Sequence, residues 1–275
     1  MKVDFHVHST GSDGTNTPFE IIHLALNAGI KFLSITDHDT LDGVKMIQEG
    51  KSFNEINFIV GVEISAEFPS TLHLLGYGFD LQNEKLNSVL NQLQECRKKR
   101  NFLMIENMQR LGFQITLQEL NEEAKGDLIG RPHFASLMLK KRYVNSKQEA
   151  FDKYLKKGAP LYLDKKRLNP NDAISLIKEA RGVVVLAHPY QTNLDEKELE
   201  ELVKKLKNYG LDGIEAYYSK HTQKMTEKYQ KLAKKYDLVT TAGSDYHGDN
   251  KKDIKLGIEI KEEEIRPFLD ILRRF

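Results

Sequence analysis

Apolar residues come in short runs along the chain, at residues 3–7, 32–36, 57–64, 72–77, 183–187, 213–217, 238–242 and 256–260. Several are apolar without a break, such as Val183-Val184-Val185-Leu186-Ala187. Unbroken runs of this length mark strands covered on both faces, as in a parallel sheet. Helices with legible ends separate most of the runs. Thr17-Pro18-Phe19-Glu20 is a capping box with proline at the first helical position, and Gly29 closes that helix. A second helix covers 170–181 and is closed by Gly182; a third covers 195–209 and is closed by Gly210. About eight strands alternating with helices predict an α/β fold, a (β/α) barrel or a distorted version of one.

The rhythm breaks in the middle. From residue 81 to 169 the signals are helical, with no convincing strand. Residues 83–111 read as a long amphipathic helix ending at Gly112, and Thr116-Leu117-Gln118-Glu119 and Ser146-Lys147-Gln148-Glu149 are two more capping boxes. The chain therefore divides into a barrel, residues 1–80 and 170–275, and a helical insertion, 81–169. Basic clusters in the insertion (97–100, 140–142, 156–157, 165–167) read as solvated helix faces or as the lining of a substrate groove.

Composition narrows the partners. Among 275 residues, 41 Lys and Arg balance 40 Asp and Glu, a net charge of +1, so no global field draws the protein to nucleic acid or to a membrane. The single cysteine, Cys96, cannot close an internal disulfide, which fits a reducing compartment. No apolar run reaches the ~18 residues of a membrane span, and no leader pattern precedes Val3. The expectation is a cytoplasmic protein with no membrane contact and no stable protein partner.

Candidate chemistry collects at the ends of the apolar runs. His6 and His8 end the first, Asp37-His38-Asp39 follows the second, and Glu63 lies near the end of the third. His73 is in the fourth, His188 follows the fifth, Glu215 is in the sixth, and Asp245-Tyr246-His247 follows the seventh. In barrels and open parallel sheets the carboxyl ends of the strands carry the active site. On a strand, the i, i+2 spacing puts His6 and His8 on one face. Imidazoles joined by carboxylates suit Zn, Mn or Fe, whereas buried ionisable groups are costly unless paired or bound to a cation. A hydrogen-bonded polar network is the alternative.

His6-Val7-His8-Ser9, Thr36-Asp37-His38-Asp39, Gly61-Val62-Glu63, Leu186-Ala187-His188-Pro189 and Gly243-Ser244-Asp245-Tyr246-His247 together resemble the PHP family, the polymerase and histidinol phosphatase phosphoesterases. The resemblance implies a distorted (β/α)7 barrel and two or three divalent metal ions. Three finer features are similar to the branch of 3′,5′-nucleotide bisphosphate phosphatases and short-RNA 5′-end nucleases. They are Asp13 in Ser9-Thr10-Gly11-Ser12-Asp13-Gly14, Gly130-Arg131-Pro132-His133 in the insertion, and Ser219-Lys220-His221-Thr222.

Carried over by motif, the resemblance implies that His6, His8, Glu63 and Asp245 hold one metal. Glu63 then bridges to a second held by His73 and His188, and Asp13, His38 and His247 hold a third. Arg131, His133, Ser219 and His221 are the expected phosphate ligands, with Arg131 and His221 taking part in catalysis. Asp4, Asp37 and Asp39 are expected to orient ligand imidazoles or to close turns. His23 has no partner motif and reads as structural or exposed. The implied activity is hydrolysis of a phosphate monoester of a small nucleotide, or of a short 5′-phosphorylated RNA, by a hydroxide activated at the metals. The alternatives are a histidinol-phosphate phosphatase or other small-molecule phosphatase, and a non-catalytic metal- or RNA-binding module.

Overall fold

The computed structural model describes residues 1–48, 55–124 and 129–273. Eight strands lie at the eight apolar runs: β1 (Lys2–Val7), β2 (Ile30–Ile35), β3 (Asn57–Ser65), β4 (His73–Tyr77), β5 (Val183–Leu186), β6 (Gly213–Tyr218), β7 (Val239–Gly243) and β8 (Ile258–Glu259). They form one sheet in the order β7-β6-β5-β4-β3-β2-β1-β8. Its two ends meet. Val7 bridges Tyr246 in parallel, His8 N–H donates to Tyr246 O at 2.9 Å, and Asp245 N–H donates to His6 O at 2.8 Å. The antiparallel β8 covers the other half of the same β1 edge, Lys2 opposite Glu259. The result is a nearly closed, distorted (β/α)7 barrel, with β8 as a patch on the seam.

Strand direction departs from the all-parallel expectation at one place. β1, β2 and β3 run parallel, as do β5, β6 and β7, but β4 is antiparallel to both β3 and β5. The amino end of β4 therefore faces the same mouth as the carboxyl ends of its neighbours. That reversal brings His73, the first residue of β4, level with Ser65 at the end of β3.

Around the sheet run α1 (Pro18–Asn27), α2 (Asp42–Gln48) and the first turns of α3 (Glu84–Arg110). In the second unit come α4 (Leu117–Ala124), α5 (Arg131–Lys140) and the short α6 (Lys147–Ala150), which continues into a π-turn over Phe151–Leu155. The barrel then resumes with α7 (Pro170–Glu179), α8 (Glu196–Tyr209), α9 (Gln223–Lys235) and α10 (Glu262–Leu272). Thr17 caps α1 with the full box, and Gly29 follows it at φ 70°. The end of α7 corrects the expectation for Gly182: Arg181, at φ 65°, takes the left-handed position. Gly182 is needed for space instead, since a Cβ there would lie 2.6 Å from Ile177 Cγ2.

The chain forms two compact units, Met1–Leu90 with Arg167–Phe275, and Asn91–Lys166. The second has its own core, in which Met104, Met108, Leu120, Phe134, Met138 and Leu161 are buried. In the first, Val3 and Phe5 of β1 meet Leu75 and Tyr77 of β4, Val183 and Val185 of β5, and Phe268 of α10. The Phe5 and Phe268 rings pack edge to face at 5.0 Å, and Tyr77 OH donates to Phe5 O at 2.9 Å. Such a ring pair adds ~1 kcal/mol beyond its burial. A register shift between Asp4 and Val7 breaks the simple alternation of β1. Through it, Phe5 joins the apolar core while His6, the next residue, still reaches Glu63.

Candidate metal centre

The strand ends bring nine ligand-type side chains together: His6, His8, Asp13, His38, Glu63, His73, His188, Asp245 and His247. Glu63 is the hub. Its Oε1 lies 2.9 Å from His73 Nδ1, 2.9 Å from His188 Nε2 and 3.4 Å from His6 Nε2. Its Oε2 lies 2.9 Å from His38 Nδ1 and 3.3 Å from His8 Nε2. Five imidazoles thus converge on one fully buried carboxylate.

Asp245, in the left-handed region at φ 60°, turns Oδ1 toward His8 Nε2 (3.3 Å), His6 Nε2 (3.6 Å) and His247 Nδ1 (3.4 Å). Its Oδ2 accepts hydrogen bonds from Tyr218 OH at 2.7 Å and from Lys251 Nζ at 2.6 Å. On the other flank, Asp13 Oδ1 is 3.3 Å from His247 Nε2, and Oδ2 is 3.9 Å from His38 Nε2. His8, Asp13, His38 and His247 form one candidate ligand group, His6, His8 and Glu63 a second, and His38, Glu63 and His73 a third.

Two observations test whether cations fit here. His6 Nε2, His8 Nε2 and Asp245 Oδ1 stand 3.1–3.6 Å apart, with Glu63 bringing Oε1 to 3.4 Å from His6 Nε2 and Oε2 to 3.3 Å from His8 Nε2. The edge of a tetrahedron with ~2.1 Å metal–ligand bonds is about 3.4 Å. Second, Glu63 Oε2 and His38 Nδ1 are buried without a hydrogen-bond partner; they are close, but not aligned for a bond with each other. Orphaned donor atoms of this kind suit coordination to a cation better than a closed polar network.

The charges agree. Burial raises the carboxyls of Asp13, Glu63 and Asp245, but the imidazoles around them overcome it and hold all three well below the usual carboxylate range. Burial opposes charge on His6, yet Glu215, Glu63 and Asp245 outweigh it and hold its pKa well above the ordinary value. His8 is likewise carried up to about 9 against burial, by Asp245 and Glu63. Burial brings His73 down to about 4. The pocket is thus a set of anionic oxygens neutralised by protons, which a metal ion bound there would displace.

The supporting residues differ from those expected. Glu215 had been noted only by its position; its Oε1 meets His6 Nδ1 at 2.9 Å, and its Oε2 accepts from the His188 N–H at 2.7 Å. Among the described residues Asp4 bonds no imidazole ring, although its Oδ1 accepts the His6 N–H at 3.2 Å. It takes the Ser244 N–H at 2.9 Å, the Ser244 hydroxyl at 2.5 Å and the Gly257 N–H at 2.7 Å, tying β1 to the chain beyond β7 at the seam of the barrel. Burial pushes its carboxyl up to about 6 against these donors. Asp37 holds Ser9 and Ser12, and Asp39 accepts from the Ser65 N–H at 2.9 Å. Tyr218 and Lys251 had no motif to mark them.

Of the expected phosphate ligands, His221 is packed against Tyr218 and Tyr229 with ring centroids 5.0 and 4.8 Å away. Its Nδ1 meets Ala216 O at 2.9 Å, its Nε2 is buried without a hydrogen-bond partner, and burial lowers its pKa. Ser219 is exposed in the turn after β6, and His23 is exposed on α1. Arg131 and His133 begin α5 in the second unit. There the Arg131 guanidinium lies 4.9 Å over the Tyr162 ring and donates to Leu155 O at 3.1 Å, while His133 Nδ1 accepts from the Gly130 N–H at 3.0 Å. Among the described residues no helix is long and apolar enough to cross a membrane.

Comparison with known proteins gives the family. The PHP domain family matches residues 4–182. A 5′-3′ exoribonuclease of Haemophilus influenzae is 30% identical over 247 residues, covering 90% of each chain. A 3′,5′-nucleoside bisphosphate phosphatase of Chromobacterium violaceum is 29% identical over 257 residues, 92% of this chain and 90% of its own. A solved structure from Bifidobacterium adolescentis, assigned as a metal-dependent phosphoesterase, superposes with a TM-score of 0.83 at 28% identity, over 98% of this chain and 95% of that one. The chain belongs to the PHP domain family and is a metal-dependent phosphoester hydrolase.

Proposed function

We propose that the protein removes a phosphate from a small nucleotide, a 3′,5′-bisphosphate or an AMP-like monoester, or acts at the 5′ end of a short phosphorylated RNA. The observation that carries the reading is the convergence of five imidazoles on Glu63, with Asp245 and Asp13 on either side. His6, His8, Glu63 and Asp245 would hold one cation, Glu63, His73 and His188 a second, and Asp13, His38 and His247 a third, the ions being Mn, Fe or Zn. Bound there, two or three such ions activate water and neutralise charge on the phosphate.

The protein's own groups do the rest. Glu215 fixes the His6 ring, and Tyr218 with Lys251 keeps Asp245 Oδ1 turned inward. Arg131 offers a planar fork suited to phosphate oxygens, its plane set by Tyr162. His133 stands two residues from Arg131 at the start of α5, and Ser219 is a further candidate phosphate ligand on the turn after β6. His221 spends its Nδ1 proton on Ala216 O, so Nε2 is the atom that holds a proton for the leaving oxygen. A phosphate dianion nearby raises the His221 pKa and makes that protonation favourable at neutral pH.

A phosphoester panel with added Mn²⁺ tests the substrate class. Adenosine 3′,5′-bisphosphate, AMP and a 5′-phosphorylated tetranucleotide are expected to turn over at least ~10-fold faster, by kcat/KM, than histidinol phosphate; a phosphate site that also binds the nucleoside gains at least ~1.4 kcal/mol. A preference for histidinol phosphate overturns the nucleotide reading and leaves the metal centre standing.

A further inference from the structure

Asp37 is fully buried beside the metal centre, and no imidazole among the described residues is hydrogen-bonded to it. Its partners all come from one loop. Ser9 donates its N–H at 2.7 Å and its hydroxyl at 2.5 Å, and Ser12 donates its hydroxyl at 2.6 Å. The loop is drawn tightly around the carboxylate. A Cβ on Gly11 would stand 2.7 Å from Asp37 Oδ2, and on the other side one on Gly43, in α2, only 2.1 Å from it. A Cβ on Gly14 would lie 2.1 Å from His8 O.

Ser12 has one hydroxyl proton, and the 2.6 Å contact with Asp37 takes it. The lone pairs of the Ser12 oxygen then face His8 Nδ1, at a longer 3.4 Å. This favours a proton on His8 Nδ1 and leaves a lone pair on Nε2, the atom that faces Glu63 and Asp245. The same loop carries Asp13 toward His247. Where Glu215 bonds His6 directly, a hydroxyl stands between Asp37 and His8.

We infer that Asp37 is a positioning residue. It acts through Ser12 on His8 and through the loop on Asp13, so that one carboxylate sets two ligands of neighbouring groups. The inference rests on the metal-centre reading above, and its test separates the two.

Bound Mn²⁺ is measured after equilibrium dialysis against a series of free Mn²⁺ concentrations, for wild type, Ser12→Ala and Asp37→Asn. Ser12→Ala removes only the relaying hydroxyl from a loop still held by Ser9, so it is the variant expected to fold. Its half-saturating Mn²⁺ concentration is expected to rise ~10-fold, and that of Asp37→Asn up to ~100-fold, the range for losing a group that orients a metal-bound histidine. The ¹⁵N shifts of His8, read on metal-free protein once its ring is neutral, are expected to show the Nδ1–H tautomer in wild type and a mixture in Ser12→Ala. An unchanged half-saturation together with an unchanged tautomer overturns the role of Asp37. If wild type takes up no Mn²⁺, the metal-centre reading fails, and the tautomer alone then decides the inference.

Discussion

Glu63→Gln is expected to lower kcat/KM for Mn²⁺-dependent phosphoester hydrolysis by at least ~10³-fold, about 4 kcal/mol of transition-state stabilisation. The substitution keeps the shape of the side chain and removes its charge. In the native protein both carboxylate oxygens face imidazole nitrogens, Oε1 those of His6, His73 and His188 and Oε2 those of His8 and His38. A glutamine offers one acceptor oxygen and turns an NH₂ toward imidazole nitrogens that must themselves be lone-pair donors. No single amide bridges the two sides. The measurement is steady-state hydrolysis of a nucleotide phosphate with circular dichroism as the control for folding. Retention of more than about a tenth of wild-type kcat/KM, a loss under ~1.4 kcal/mol, shows that Glu63 does not hold the reacting ions.

Glu215→Gln is expected to raise the Mn²⁺ concentration needed for half-maximal activity by ~10–100-fold, with most of the activity recovered at saturating metal. Glu215 touches no substrate in this account. It meets His6 Nδ1 at 2.9 Å and accepts the His188 N–H at 2.7 Å, so it fixes one ligand by its ring and another by its backbone. His188 needs that support, because its backbone stands at φ 24°. The neutral amide keeps the second bond and weakens the first. A Mn²⁺ titration of activity separates this from damage to the fold, which lowers the plateau without moving the midpoint. An unmoved midpoint removes Glu215 from the metal centre.

How far the sequence could be read depends on how far apart the partners are. The apolar runs announced all eight strands because burial is a local requirement on each run. The short His and acid motifs pointed to a cluster because most of them end or follow such a run, and the family resemblance supplied the set of nine candidate ligands, Asp13 among them. His73 shows the limit. Its run gave the strand but not its direction, and only the pairing of β4 with β3 and β5, both antiparallel, brings it to the mouth. Asp4 shows another. Its neighbour His6 invited a role beside the imidazole, whereas Ser244 and Gly257, 240 and 253 residues away, claim its oxygens and tie the seam. Tyr218 reads as one more buried strand aromatic and Lys251 as an ordinary loop cation until Asp245 is found between them. Arg181 took the helix end from Gly182 because the space beside Ile177, not the backbone angle, required the glycine.

Anomalous diffraction at the manganese edge, from crystals grown with Mn²⁺, tests the central claim most directly. The account predicts at least two peaks with the Glu63 carboxylate between them, each ~2.2 Å from one of its oxygens. One is flanked by His6, His8 and Asp245, the other by His73 and His188. A single peak away from Glu63, or no peak among these side chains, contradicts it.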